Sequence, residues 1–253
     1  MHIMSQESHS TEPSPRRGVY LLPNLFTTAG LFAAFYAIVM GMKGQYENAA
    51  MAIFVAMIAD ALDGRIARLT NTQTAFGAEY DSLADMVSFG VAPALVLYSW
   101  SLASLGKVGW LVAFIYTAAG ALRLARFNTQ VGIADKRYFQ GLAIPSAAAI
   151  TAGMVWLGVD RDINGHHISL LVALITFVVA ILMVSNVRYY SFKTIDVKGR
   201  LPFIAGLVIV LLFVAISVDP PLILFSAFFI YGLSGPVMTL RHKYQKRRVK
   251  VER

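Results

Sequence analysis

Eight apolar stretches of roughly twenty residues divide this chain, each long enough to cross a ~30 Å hydrocarbon core as a helix. They run from Leu22 to Met42, Ala49 to Leu69, Met86 to Leu105, Gly109 to Phe127, Leu142 to Val159, Ile168 to Val187, Leu201 to Val218 and Leu222 to Leu240. Within lipid every backbone N–H and C=O must find its partner inside the protein. The sequence therefore predicts an all-α fold, a polytopic membrane helix bundle of about eight transmembrane helices. Hydrophobic residues make up 57% of the chain and charged ones 14%, a balance that leaves no separate soluble domain.

The basic residues support that count. Lys and Arg gather in short cytoplasmic loops, and with both termini inside, 19 of the 22 fall on the inner side, leaving Lys43, Lys107 and Arg161 outside. The net charge of +8 sits at helix ends and in the tail RHKYQKRRVKVER, so its expected partner is a bilayer with anionic headgroups, not nucleic acid. Cysteine is absent, which removes disulfide frameworks and thiolate sites. Residues 1–19 lack a signal-peptide core and read as a disordered cytoplasmic tail. Residues 20–240 form the transmembrane domain, and 241–253 a basic cytoplasmic tail.

Against this background the run from Asp60 to Asp85, DALDGRIARLTNTQTAFGAEYDSLAD, is anomalous. A charged side chain at the bilayer centre costs about 2.5–3.5 kcal/mol on insertion scales. Four facing acyl chains would cost on the order of 10 kcal/mol, so they must line a wet, cation-filled cavity. Successive helical residues turn by about 100°, which groups Asp60, Asp63, Gly64 and Ala67 on one arc, with Arg68 at its edge. Gly77, Asp81, Ala84, Asp85 and Ser88 group in the same way on the next helix. The polar link TNTQTAF lets the two helices return antiparallel with these faces opposed. Four carboxylates without a nearby His or Cys suit Mg²⁺, Mn²⁺ or Ca²⁺ and argue against zinc. Gly64, Ala67 and Gly77 leave room for a ligand beside the backbone, although small residues also serve ordinary membrane-helix crossings.

Asp60, Asp63, Gly64, Ala67, Arg68, Gly77, Asp81 and Asp85 fit the pattern D-x2-D-G-x2-A-R-x8-G-x3-D-x3-D at all eight positions. The chain thereby resembles the CDP-alcohol phosphotransferase family of integral membrane enzymes. LPNLFT, YDSLADMVSFGVAPA, ALRLARFN and YFQGLAIPSAAA are similar to the bacterial branch that uses L-serine as acceptor. Glycerophosphate-using relatives place a Lys after the last motif aspartate, where this chain has Met86. Small departures are TTAG in the first span and GLAIP in place of the commoner GLPxP.

The resemblance implies a reaction of CDP-diacylglycerol with L-serine, giving phosphatidylserine and CMP. It implies Asp60, Asp63, Asp81 and Asp85 as ligands of two ions, Mg²⁺ or Mn²⁺, with Asp85 also the base. It assigns Asp60, Gly64, Ala67, Arg68 and Gly77 to CDP-diacylglycerol, and a homodimer in the inner membrane of a bacterium with its active site facing the cytoplasm. Serine also needs a cation for its carboxylate, and Arg123 and Arg126, three apart on the fourth span, offer one, with Ser88 a further contact. Arginines at that depth equally snorkel to lipid phosphate. The histidines, His166 and His167 in an outer loop and His2, His9 and His242 in the tails, receive no catalytic role. Two other readings stay open: a different acceptor (glycerol phosphate, inositol phosphate or choline), and a divalent-cation or lipid transporter.

Overall fold

A computed structural model describes residues 21–70, 72, 74–130, 138–190 and 203–251. The tail expected over 1–19 lies outside them, as do the inner-loop cations Lys136, Arg137, Lys193, Lys198 and Arg200. The helices are α1 (Leu21–Met42), α2 (Tyr46–Leu69), α3 (Ala75–Asp85), α4 (Ala92–Trp100), α5 (Lys107–Gln130), α6 (Ile144–Asp160), α7 (Ser169–Val184), α8 (Phe203–Val218) and α9 (Pro220–Val251). A π-helical turn over Met86–Val91 fuses α3 and α4 into one span, so among the described residues the nine helices form eight helical segments. Five crossings are long and apolar enough to span a bilayer by length and composition alone. Of the others, α2 carries the motif charges, while α6 and α8 have 17 and 16 residues. This is a multi-pass membrane protein.

The third crossing differs from expectation at both ends. It runs from Ala75 to Trp100, not from Met86 to Leu105, because helix formation begins at a cap that hydropathy does not register. The Thr74 hydroxyl accepts from Gly77 N–H at 2.9 Å, satisfying one of the free amides of the first turn. At the far end Ser101 leaves helical geometry and its hydroxyl donates to the Gly165 carbonyl at 2.7 Å. The basic run after Leu240 also departs from a simple tail, since α9 continues through it to Val251.

Small residues bring the first two crossings together. Ala33, Ala34 and Ala37 of α1 and Ala49, Ala50, Ala52 and Ala56 of α2 are buried, and a Cβ on Gly30 would already lie 3.5 Å from the Ala56 carbonyl oxygen. Without a hydrophobic drive between helices in lipid, such close approach supplies the packing energy. The centre of the bundle is α6, where residues Ala147 through Val155 are buried; α2, α4 and α9 pack around it.

Contacts at the loop ends sort them into two sets. At one end Trp100 covers Gly158 and Gly165, and Arg161 pairs with Asp219, whose carboxylate also caps α9 at Leu222 N–H. At the other end Arg126 donates to the Val184 carbonyl at 2.9 Å. There Tyr138–Gln140 and Arg188–Tyr190 form an antiparallel two-stranded ladder, β1 and β2, among the described residues the one addition to the all-α expectation. Gly141 ends β1 with φ +76°, and a Cβ there would strike the Met183 carbonyl oxygen at 2.3 Å; only glycine fits that turn.

Candidate active site

The acidic motif occupies the end of the bundle where α2 descends into the polar link and α3 climbs back. Asp63 is 4% exposed and Thr27 of α1 6%; the threonine hydroxyl donates to Asp63 Oδ2 at 2.8 Å. Asp60, one turn earlier on α2, and Asp81 on α3 are half-buried. One carboxylate oxygen from each of Asp60, Asp63 and Asp81 lies within 4.8 Å of the other two. Asp85 stands one turn deeper on α3 and meets the carboxyl of Asp60. Helical phase thus brings all four motif carboxylates into one cluster, three at its mouth and the fourth behind.

A cavity of about 570 Å³ opens beside them. Its lining includes Asp60, Asp63, Gly64, Ala67, Arg68, Gly77 and Asp81, so every residue expected to contact a nucleotide donor faces the same space. A Cβ at Gly64 would have nothing within 4 Å, so this glycine keeps cavity volume open where a side chain would project. Arg68 curls back, its Nε donating to the Gly64 carbonyl at 2.8 Å, which leaves its terminal nitrogens available at the mouth. Pro23, Asn24 and Thr27 from α1 and Thr72 and Thr74 from the link complete the wall. The helical-phase argument, confined to α2 and α3, did not supply these. The available signal was three polar side chains, Asn24, Thr27 and Thr28, at the head of an apolar span.

A three-carboxylate cluster fits a hard divalent cation such as Mg²⁺ or Mn²⁺, which takes oxygen ligands. Asp60, Asp63 and Asp81 are the residues placed to hold it.

The two arginines of α5 have different surroundings. Arg126 is committed to the end of α7 through the Val184 carbonyl, with Asn186 Oδ1 at 3.4 Å. Arg123 turns instead toward Asp85 of α3 and Tyr231 of α9 and lies over the Phe127 ring at 5.7 Å; its buried Nε has no hydrogen-bond partner. Ser88 is buried on the π turn, outside the cavity lining.

With that geometry in view, the family model described as CDP-alcohol phosphatidyltransferase matches residues 20–184. The chain belongs to this family. The match runs from the start of α1 to the last residue of α7 and includes all eight motif positions. The CDP-diacylglycerol–serine O-phosphatidyltransferase of Helicobacter pylori (strain ATCC 700392 / 26695) is 37% identical over 224 residues, covering 87% of this chain and 92% of that protein. The enzyme of the same name from Mycobacterium tuberculosis (strain ATCC 25618 / H37Rv) is 42% identical over 154 residues, 58% of this chain and 53% of its own. An archaetidylserine synthase of Methanothermobacter thermautotrophicus is 34% identical over 170 residues, 66% of this chain and 69% of its own.

Proposed function

We propose that this protein transfers the phosphatidyl group of CDP-diacylglycerol to the hydroxyl of L-serine. The observation that carries the reading is the convergence of Asp60, Asp63 and Asp81 on a cavity kept open at Gly64, in a chain whose relatives are named for that reaction. Serine Oγ attacks the diacylglycerol-side phosphorus, the new P–O bond forms as the bond to the CMP oxygen breaks, and phosphatidylserine and CMP result. Two divalent cations, Mg²⁺ or Mn²⁺, would neutralise charge building on the pyrophosphate oxygens.

The chain's own residues account for the rest. Gly64, Ala67 and Gly77 admit the cytidine and its phosphates against bare backbone, and Arg68 holds an anionic oxygen at the mouth. Asp85 takes the proton from the serine hydroxyl, a role suited to the one motif carboxylate set back from the cavity wall. Arg123, with a free buried Nε beside Asp85, pairs with the serine carboxylate, a bidentate match for a guanidinium. Arg126 braces α7 instead. The site faces the cytoplasm of a bacterial inner membrane, and the protein works as a homodimer.

Purified protein in detergent, given CDP-diacylglycerol, serine and Mn²⁺ or Mg²⁺, should release CMP, and chelation should abolish release. No CMP with either metal would overturn the reading. Much faster release with glycerol phosphate, inositol phosphate or choline than with serine would reassign the acceptor. Arg123→Ala should raise the serine KM at least tenfold while the donor KM stays within about twofold, corresponding to loss of roughly 1.4 kcal/mol or more of acceptor binding; an unchanged serine KM would remove Arg123 from the acceptor pocket.

A further inference from the structure

Two consecutive threonines on α1 reach different arms of the acidic motif. Successive helical side chains diverge by about 100°, and here that divergence sends Thr27 to α2 and Thr28 to α3. Thr28 Oγ1 lies 2.9 Å from the Tyr80 hydroxyl, one residue before Asp81. Thr27 donates to Asp63 Oδ2 at 2.8 Å and lies 3.2 Å from the Pro23 carbonyl oxygen of its own helix. A hydroxyl has one proton, and the shorter contact to an anionic oxygen is the stronger of the two. Buried threonines in apolar helices ordinarily return that proton to the carbonyl four residues back; this one spends it on the neighbouring helix.

From this geometry we infer that Thr27 is a positioning residue, which fixes the rotamer of Asp63 and so keeps its carboxylate turned toward Asp60 and Asp81 as a ready divalent-cation ligand. Asp63 is the most buried of the three clustered carboxylates. With Oδ2 held by Thr27, rotation about the Asp63 side chain breaks a buried, charge-assisted bond. Without the hydroxyl, both oxygens compete for the cation and the carboxylate is free to turn. Partners that orient metal ligands in this way typically contribute 10–100-fold to metal affinity or activity. The inference rests on the proposed metal chemistry of the site but not on the identity of the acceptor.

Mn²⁺ binding to chelator-stripped full-length protein in detergent, followed by electron paramagnetic resonance of free Mn²⁺ without either substrate, tests it apart from turnover. Thr27→Val keeps the β-branched shape and removes the donor; it should weaken Mn²⁺ binding 10–100-fold, and Thr27→Ser should return it to within about threefold of the wild type. Wild-type affinity in Thr27→Val, or a Thr27→Ser protein as weak as Thr27→Val, would overturn the assignment. Should Thr27→Val fail to fold, Thr27→Ala compared with Thr27→Ser reads the same difference. Wild-type protein that binds no Mn²⁺ would defeat both this inference and the metal-dependent reading, whereas normal binding in all variants defeats this one alone.

Discussion

Gly64 and Gly77 both line the cavity, yet their missing side chains do different things. Around Gly64 there is open space, whereas a Cβ on Gly77 would sit 3.1 Å from Thr74 Oγ1 and 3.5 Å from Asn24 Oδ1. Replacing a helical glycine by valine removes some backbone entropy cost, so Gly64→Val should leave the melting temperature unchanged or slightly raised. It should also raise the donor KM tenfold or more, because its methyls project into the volume the donor needs; steady-state kinetics and thermal denaturation check the two halves separately. Gly77→Ala should lose both, since it pushes on the α3 cap and on α1. Among the aspartates, Asp85→Asn should keep CDP-diacylglycerol binding while losing turnover, and Asp60→Asn should weaken metal-dependent donor binding. Equal residual activity and equal donor affinity in the two variants would contradict that division. The aspartates were legible because their spacing alone fixes their helical phase. Thr27 was not, because its partner lies on another helix and a threonine in an apolar span normally signals only a local bond. The Arg126 contact is hidden from the sequence for a related reason: its partner is the carbonyl at which α7 ends, and no spacing within α5 encodes that.

At the scale of elements, the third crossing depends on a defect. Pro93 has no N–H to offer the carbonyl of Phe89, four residues back, and the helix widens into a π turn over Met86–Val91. Two carbonyls of this turn are met by α5: the Tyr116 hydroxyl donates to the Phe89 carbonyl at 3.1 Å, and Thr117 Oγ1 lies 3.3 Å from that of Gly90. Gly120 of α5 makes room for Ile144, whose Cδ1 would lie 2.9 Å from a Cβ there. The turn begins directly after Asp85 and resets the helical phase, so α3 can aim its acids at the cavity while α4 buries Val96, Leu97 and Trp100 in the core. Tyr116 is fully buried, and Tyr116→Phe leaves the Phe89 carbonyl without a partner, a loss of about 1–3 kcal/mol. The expected readout is a melting temperature lowered by several degrees, with Thr117→Val milder because its hydroxyl also bonds Ala113. An unaltered melting temperature in Tyr116→Phe would mean the carbonyl is satisfied some other way. A proline within a span signals a missing N–H donor; which helix reaches the turn is visible only with α5 packed against it.

At the scale of the whole molecule, two independent observations specify the same alternation of crossings. The charge pattern places Lys43, Lys107 and Arg161 opposite the other basic residues, and the packing joins Arg161 to Asp219 at one end and Arg126 to Val184 at the other. If all eight helical segments cross, both ends of the described chain lie on the motif's side of the membrane. Because the chain contains no cysteine, single introduced cysteines can report this without a background to remove. Gln45, Asn164, Thr70 and Thr129 are all exposed at helix ends, so substitution at these positions buries nothing and disturbs no core contact. In spheroplasts treated with a membrane-impermeant maleimide, Gln45→Cys and Asn164→Cys should be labelled, while Thr70→Cys and Thr129→Cys should react only after lysis. Thr70 closes α2 about two turns from Asp63, so its protection in intact cells also places the candidate site on the side where cytosolic serine and a water-soluble product such as CMP are exchanged. Labelling of Thr70→Cys before lysis would invert the molecule and separate the proposed chemistry from its substrate, whatever the carboxylate geometry allows. Labelling of Asn164→Cys alone among the outer pair would instead leave the site where it is and remove the first hairpin from the membrane-crossing scheme.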